Sequence, residues 1–189
     1  MRKTLEPQIT NTCVIKDKHC IVNGKLLFAG HETESDNEFI NNLYRHMELA
    51  YPKFFKMDLL CKTGLLAAET LISNLDKNAK SELCILFTNN ASSLETDRKH
   101  ISNIKDPEAY FPSPSVFVYT LPNIVIGEIS IRHKIMGEGV FFLSESHNFE
   151  WLKEYAKILI NTGVTSKVLL GYLDADHECC EARLILLER

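Results

Sequence analysis

The chain has 189 residues, 24% charged and 45% hydrophobic, with a formal net charge of −4. One domain of that length buries roughly 70% of the surface its unfolded form exposes, so a self-sufficient core is expected over residues 1–189. The acidic balance and scattered lysines exclude the basic footprint of a nucleic-acid partner. No apolar run approaches the roughly 18 residues of a membrane span.

The N-terminus, MRKTLEPQIT, lacks an apolar core of signal-peptide length. The six cysteines, Cys13, Cys20, Cys61, Cys84, Cys179 and Cys180, therefore read as free thiols of a cytoplasmic protein rather than a disulfide framework. Residues 11–28 are short apolar runs broken by Lys-Asp-Lys and Asn-Gly, a strand-and-turn pattern. Phe39, Leu43, Met47 and Ala50 then recur at helical spacing, up to Tyr51-Pro52.

A second helix is predicted over about 54–74, with Met57, Leu60, Gly64, Ala67, Ala68 and Leu71 as its buried stripe. Its small residues would let a neighbour approach closely. Residues 82–88, ELCILFT, have the form of a strand buried on both faces. SSLETDRKHISNI reads as a capped polar helix, and the proline-rich stretch 105–123 as largely irregular. IVIGEISIRHKI is helix-like, with Gly127 suited to close packing.

Residues 140–151, VFFLSESHNFEW, run an apolar strand through a polar corner into an amphipathic helix over about 147–161. Phe149, Leu152, Ala156 and Leu159 form its apolar stripe; Glu150, Glu154, Lys157 and Asn161 form its polar one, so the helix should lie on a surface. SKVLLGYLD and EARLILLE read as two strands, too close for a helical crossover and so paired antiparallel. Alternating strands and helices indicate an α/β layered fold.

Among candidate chemical groups, the cluster Asp174, Asp176, His177, Cys179 and Cys180 contains zinc-type ligands. It has no second ligand pair at matching spacing, and adjacent strand cysteines point to opposite faces, so a polar turn is expected and no metal. Asp174 itself is expected as a turn or strand-end acceptor. His31, His46, His100 and His133 are expected at the solvated surface. NNASS, at 89–93, lacks the glycines of a phosphate cradle, and nothing else calls for a cofactor.

The stretch 113–146, from Ser113-Pro114 through Asn123, Gly127 and Gly137 to the strand Val140, Phe141, Phe142 and Leu143, resembles the β-ketoacyl synthase family of the thiolase fold. FKMDLLCKTGLLAAETLI is similar to that family's Met-Asp helix, CILFTNNASSLETD to its next strand and loop, and Gly171 with Asp174 to its later Gly-Gly-x-Glu strand. Counts from Asn123, Gly137 and Gly171 all place the family's nucleophilic cysteine at Ser146. The resemblance implies a thiolase-like half-fold, a mixed sheet covered by helices. An extra antiparallel strand over 181–188 would close it.

Departures from the family define the functional expectation. Serine stands at the nucleophile position, Glu138 follows Gly137, Tyr172 follows Gly171, and no second half with decarboxylating histidines follows within these residues. The resemblance therefore implies a ketosynthase-like protein of fatty acid or polyketide-type synthesis without condensing activity. It would act as a partner or chain-length-type subunit, or as a binder of acyl chains or acyl carrier protein. The alternative is an acyltransferase or thioesterase using Ser146. A serine needs an adjacent base, and His147, one residue on, does not face it on a helix. An N-cap role for Ser146 is the simpler expectation. In the family the strand before the nucleophile pairs with its copy across a two-fold axis. Val140 to Leu143 should therefore mediate a homodimer, or a heterodimer with a full-length ketosynthase.

Overall fold

Seven strands, β1 (Gln8–Lys16), β2 (His19–Val22), β3 (Lys25–Ala29), β4 (Cys84–Asn89), β5 (Gly139–Leu143), β6 (Lys167–Ala175) and β7 (Cys180–Glu188), form one mixed sheet in the order β3-β2-β1-β7-β6-β4-β5. The computed structural model describes residues 6–106, 108, 111–176 and 180–189. β5, β4 and β6 run parallel; the remaining neighbours pair antiparallel, including β6 with β7 as the short connection requires. All of β4 is buried, as its unbroken apolar run predicts.

The chain leaves β4, steps outward to β5, then steps back across β4 to β6. Crossovers between parallel strands are almost always right-handed, so stepping in opposite directions puts the two connections on opposite faces. The observed packing agrees. Helix α6 (Ile124–His133), on the first connection, shares a core with α1 (Asp36–His46) and α2 (Leu59–Ile72) on one face. Helix α7 (Glu150–Thr162), on the second, packs on the other face through Leu152, Ala156, Leu159 and Ile160. Its polar stripe faces outward, as the periodicity predicts.

Helix α2 is buried nearly all round and anchors the deeper face. Each of its fully buried leucines contributes about 1.5–3 kcal/mol by leaving water. Gly64 makes this packing possible: a methyl group there would sit 2.5 Å from Val125 of α6 and 2.7 Å from Leu173 of β6. The single helix predicted over 54–74 is in fact a 3-10 turn, Pro52–Lys56, followed by α2. Asp58 divides them because its carboxylate accepts the backbone N–H of Cys61 and so caps a new helix.

Three further helices are α3 (Lys77–Ser81), α4 (Leu94–Ile104) and α5 (Pro114–Val118). Ser93 precedes α4 but gives no cap bond; its hydroxyl donates instead to the carbonyl of Thr120. The proline-rich stretch is not wholly irregular, since Ser113 caps the one-turn α5. Gly127 does not serve close packing: it is exposed, and nothing lies within 4 Å of where a Cβ would stand. His133 is not at the surface either. It is 8% exposed, and its Nε2 lies 3.1 Å from Glu69 of α2, which also pairs with Arg132. Val125, Ile129 and His133 fall at i, i+4 and i+8, so the histidine shares the buried stripe of α6.

Candidate functional site at the carboxyl ends of the parallel strands

Where neighbouring strands send their connections to opposite faces, a crevice opens beyond their carboxyl ends. Here the strands that meet this condition are β4 and β5. The loop after β4 is closed by Asn89, which is fully buried. Its Oδ1 accepts from Ser92 N at 2.8 Å, and its Nδ2 donates to the carbonyl of Ser92 at 2.8 Å and to Asp174 Oδ1 at 3.4 Å. Ser144 N donates to Asn89 O at 2.8 Å, so the two loops are tied at their base.

Residues 144–150 then climb by three successive side-chain turns. Ser144 Oγ accepts from Ser146 N at 3.3 Å, Ser146 Oγ from Asn148 N at 3.0 Å, and Asn148 Oδ1 from Glu150 N at 2.8 Å. Such i to i+2 bonds compete with helix formation. α7 consequently starts at Glu150 rather than near His147, and Ser146 is not its cap. Phe149 occupies the N-cap position without a side-chain bond, and Asn148 holds the first helical N–H.

Ser146 is exposed. Among the described residues no histidine or carboxylate hydrogen-bonds its Oγ, whose one assigned bond is that with Asn148 N–H. A hydroxyl so placed has no base to raise its nucleophilicity. Standing four residues ahead of the first helical residue, it also lies outside the first turn, where the helix dipole acts.

A polar cluster lies beside this loop on the α7 face of the sheet. Tyr172 is fully buried, and its hydroxyl donates to Asp174 Oδ2 at 2.8 Å, with Asn90 Oδ1 at 3.3 Å. The His147 ring lies 5.0 Å from the Tyr172 ring, and the Arg183 guanidinium stands 5.5 Å from its centre. Asp174 accepts from Ala175 N at 3.0 Å as well as from Tyr172. It is thus the strand-end acceptor the sequence suggested. Burial pushes its carboxyl above the ordinary range, Asp176 adds to the rise, and the bonds from Tyr172 and Ala175 and the nearby His147 oppose it. Glu181, next in the sheet, pairs with Arg183 and with Lys16 at 3.2 Å. Thr88, paired across the strands with Tyr172, is fully buried, and its hydroxyl finds no partner.

Gly171 sets the position of Tyr172. Its φ of +155° is a conformation side chains rarely adopt, and a methyl group there would sit 2.0 Å from the Arg183 carbonyl oxygen of β7. Only glycine lets β6 and β7 run this close.

The zinc-type residues of 174–180 are not brought together among the described residues. Cys180 packs in the α2-face core with its Sγ 3.1 Å from Thr63 Oγ1, whereas Asp174 belongs to the opposite face. His177 and Cys179 lie outside the described residues. No described helix is long and apolar enough to cross a membrane. In the sequence Asn89 reads only as part of a polar loop and Tyr172 only as a departure beside Gly171. Tyr172 carried a signal, since it alternates with Asp174 on one face of β6.

No family model matches the sequence, and no curated protein matches it. Solved structures do share the fold. The ishigamide ketosynthase/chain length factor superposes with a TM-score of 0.72 at 15% identity, over 98% of this chain and 62% of that one. A ketosynthase in complex with its chain length factor, from Xenorhabdus doucetiae, gives 0.68 at 15% identity, over 98% of this chain and 79% of the matched chain. A type II PKS acyl-carrier protein in complex with its ketosynthase bound to the hexaketide gives 0.65 at 14% identity, over 97% and 62%. The chain thus spans about 62% of the length of the first of these, and its fold is the thiolase-like fold of ketosynthases and chain length factors.

Proposed function

We propose that this chain is a ketosynthase-like subunit of polyketide or fatty acid type synthesis that lacks condensing activity. It serves as the chain-length-type partner of a full-length ketosynthase. The observation that carries this reading is the geometry at Ser146, the serine that the resemblance sets at the family's cysteine position: it is exposed, bonded to a backbone N–H and without a base among the described residues. The shared fold with ketosynthase and chain length factor complexes supports it.

Docking through β5 fits the same reading. β5 is the sheet's edge, hydrogen-bonded on one side to β4. Its faces are partly covered: Phe141 packs against the α2-side core, and Phe142 packs against Trp151 and Tyr155 of α7, all three β5 residues from Val140 to Phe142 staying half-buried. What stays open is the strand's backbone edge, with Leu143, Trp151 and Ile158 exposed. An unpaired apolar edge is a template for another strand. In this role the chain pairs with the ketosynthase edge to edge, or with a second copy when expressed alone. Acyl carrier protein would reach it through that partner.

Two measurements on the purified chain test this. Light scattering should show association at micromolar concentration, lost in Leu143→Arg, whose exposed side chain can change without disturbing the core. Incubation with acyl-carrier or acyl-CoA donors should leave Ser146 without a mass shift. A covalent acyl adduct on Ser146 would overturn the reading in favour of an acyltransferase or thioesterase. A chain that is monomeric throughout and captures no ketosynthase would remove the partner role.

A further inference from the structure

β4 lies between β5 and β6, and Thr88 is level with Phe142 on one side and Tyr172 on the other. Alternation along β4 puts its side chain on the α7 face, with Cys84 and Leu86. The segment that follows β5 starts at Ser144, whose N–H holds Asn89 O. It reaches across to β6, where the His147 ring lies 5.0 Å from the Tyr172 ring. It then returns to β5, where Trp151 packs edge-on against Phe142 at 4.9 Å. Both passes cross β4, so Thr88 sits under an arch.

The arch is lightly held. Glu145, Ser146, His147 and Asn148 are exposed. Among the described residues the hydrogen bonds of 145–148 stay inside 144–150, so their hold on the sheet is the ring contact of His147. Firmer anchors stand at either end: Ser144 on Asn89, and half-buried Phe149 against the α7-side core. A stretch with few buried contacts and only local hydrogen bonds opens well below the free energy of global unfolding.

What lies beneath the arch favours opening. Thr88 is fully buried, and among the described residues its hydroxyl has no partner. The polar side chains of the cluster are committed: Tyr172 to Asp174, and Asn89 to Ser92 and Asp174. A buried hydroxyl left unmet costs the closed state the desolvation of that group. Lifting 145–148 removes that cost and breaks one ring contact.

We propose that residues 145–148 form a flap, hinged at Ser144 and Phe149, that opens over Thr88 and lets water reach its hydroxyl and the Tyr172 ring beside it. The flap controls solvent access to the Tyr172–Asp174 cluster. It does not rest on the partner-subunit reading, which is tested by association and by acylation of Ser146, and neither enters the experiment below.

Tyrosine nitration of the whole chain with tetranitromethane reads the opening, with sites and rates taken from peptide mass spectrometry. Tyr172 and Tyr44 are both buried, but Tyr44 belongs to the α2-side core, so it reports global unfolding. Tyr172 should be nitrated faster than Tyr44. Thr88→Val keeps the shape and removes the unmet hydroxyl, so the ratio of the Tyr172 rate to the Tyr44 rate should fall about fivefold. His147→Ala removes the latch at an exposed position, where the fold is safe, and should raise the same ratio about threefold. Should Thr88→Val fail to fold, His147→Ala decides. Tyr172 reacting no faster than Tyr44 in the wild type, or a ratio unmoved in Thr88→Val or His147→Ala, overturns the proposal.

Discussion

The two faces of the sheet are built to different standards. On one, α2 lies buried between the sheet and its neighbours α1 and α6, and even its Glu69 and Lys62 are almost wholly enclosed. On the other, α7 alone covers the lower part of β4, β5, β6 and β7, and the upper part is polar around Tyr172 and Asp174. The first face has the character of a domain interior. The second keeps polar groups at the expense of packing. Stability should therefore reside mainly with α2.

The harshest test of that division lies where the faces meet. Gly171→Ala puts a methyl group against the Arg183 carbonyl and should cost more than about 4 kcal/mol, or prevent folding. Soluble yield and the urea midpoint would report it. Next comes Leu65 of α2 against Leu152 of α7, both fully buried. Leu65→Ala should cost about 4 kcal/mol and Leu152→Ala about 2.5 kcal/mol, because a single covering helix can settle into the cavity more readily. Equal costs in chemical denaturation would break the comparison.

Acid sensitivity sharpens it from another side. Burial alone would raise the Glu69 carboxyl, but His133 and Arg132 outweigh burial and hold it down to about 2. A depressed carboxylate contributes stability that is present above its ordinary value and lost as pH falls through the folded value. Glu69→Gln should therefore cost about 3 kcal/mol at neutral pH. Its unfolding midpoint should also fall less steeply than wild type between about pH 4.5 and 2. A wild-type slope retained in the variant would assign the acid sensitivity to other groups. The smallest effects belong to the loop ahead of α7. Asn148→Ala should cost about 1 kcal/mol and Ser146→Ala about half that, since Asn148 holds the first helical N–H. The reverse order, read from thermal midpoints, would restore Ser146 as the cap.

Much of this frame was legible in the sequence. The unbroken apolar run of β4, the two stripes of α7 and the short β6–β7 connection each dictate one solution. Local ambiguity defeated the rest. Ser144, Ser146 and Asn148 are all good caps, and only the geometry shows that they form a chain of turns with the asparagine last. Asp58 reads as one more polar residue in a long helix, yet it begins a new one. His133 looked solvated because its partner, Glu69, lies on a helix far back in the sequence. The cleft between the β1–β2 turn and the start of α2 had no local signature, since its walls come from segments that meet only in the folded chain.

The pairing of β1 with β7, from Gln8 against Glu188 to Ile15 against Ala182, imposes an order on biosynthesis. β1 emerges from the ribosome long before the strand that receives it. Until then β1 has only β2 as its neighbour, and Cys13 and Ile15, fully buried in the finished fold, lack the β7 side of their sheet. Such distant pairing slows folding, because loop closure must precede the contacts that reward it. A circular permutant that carries β1 directly after β7 would make the contact local. It should refold faster than the native order while keeping the same sheet.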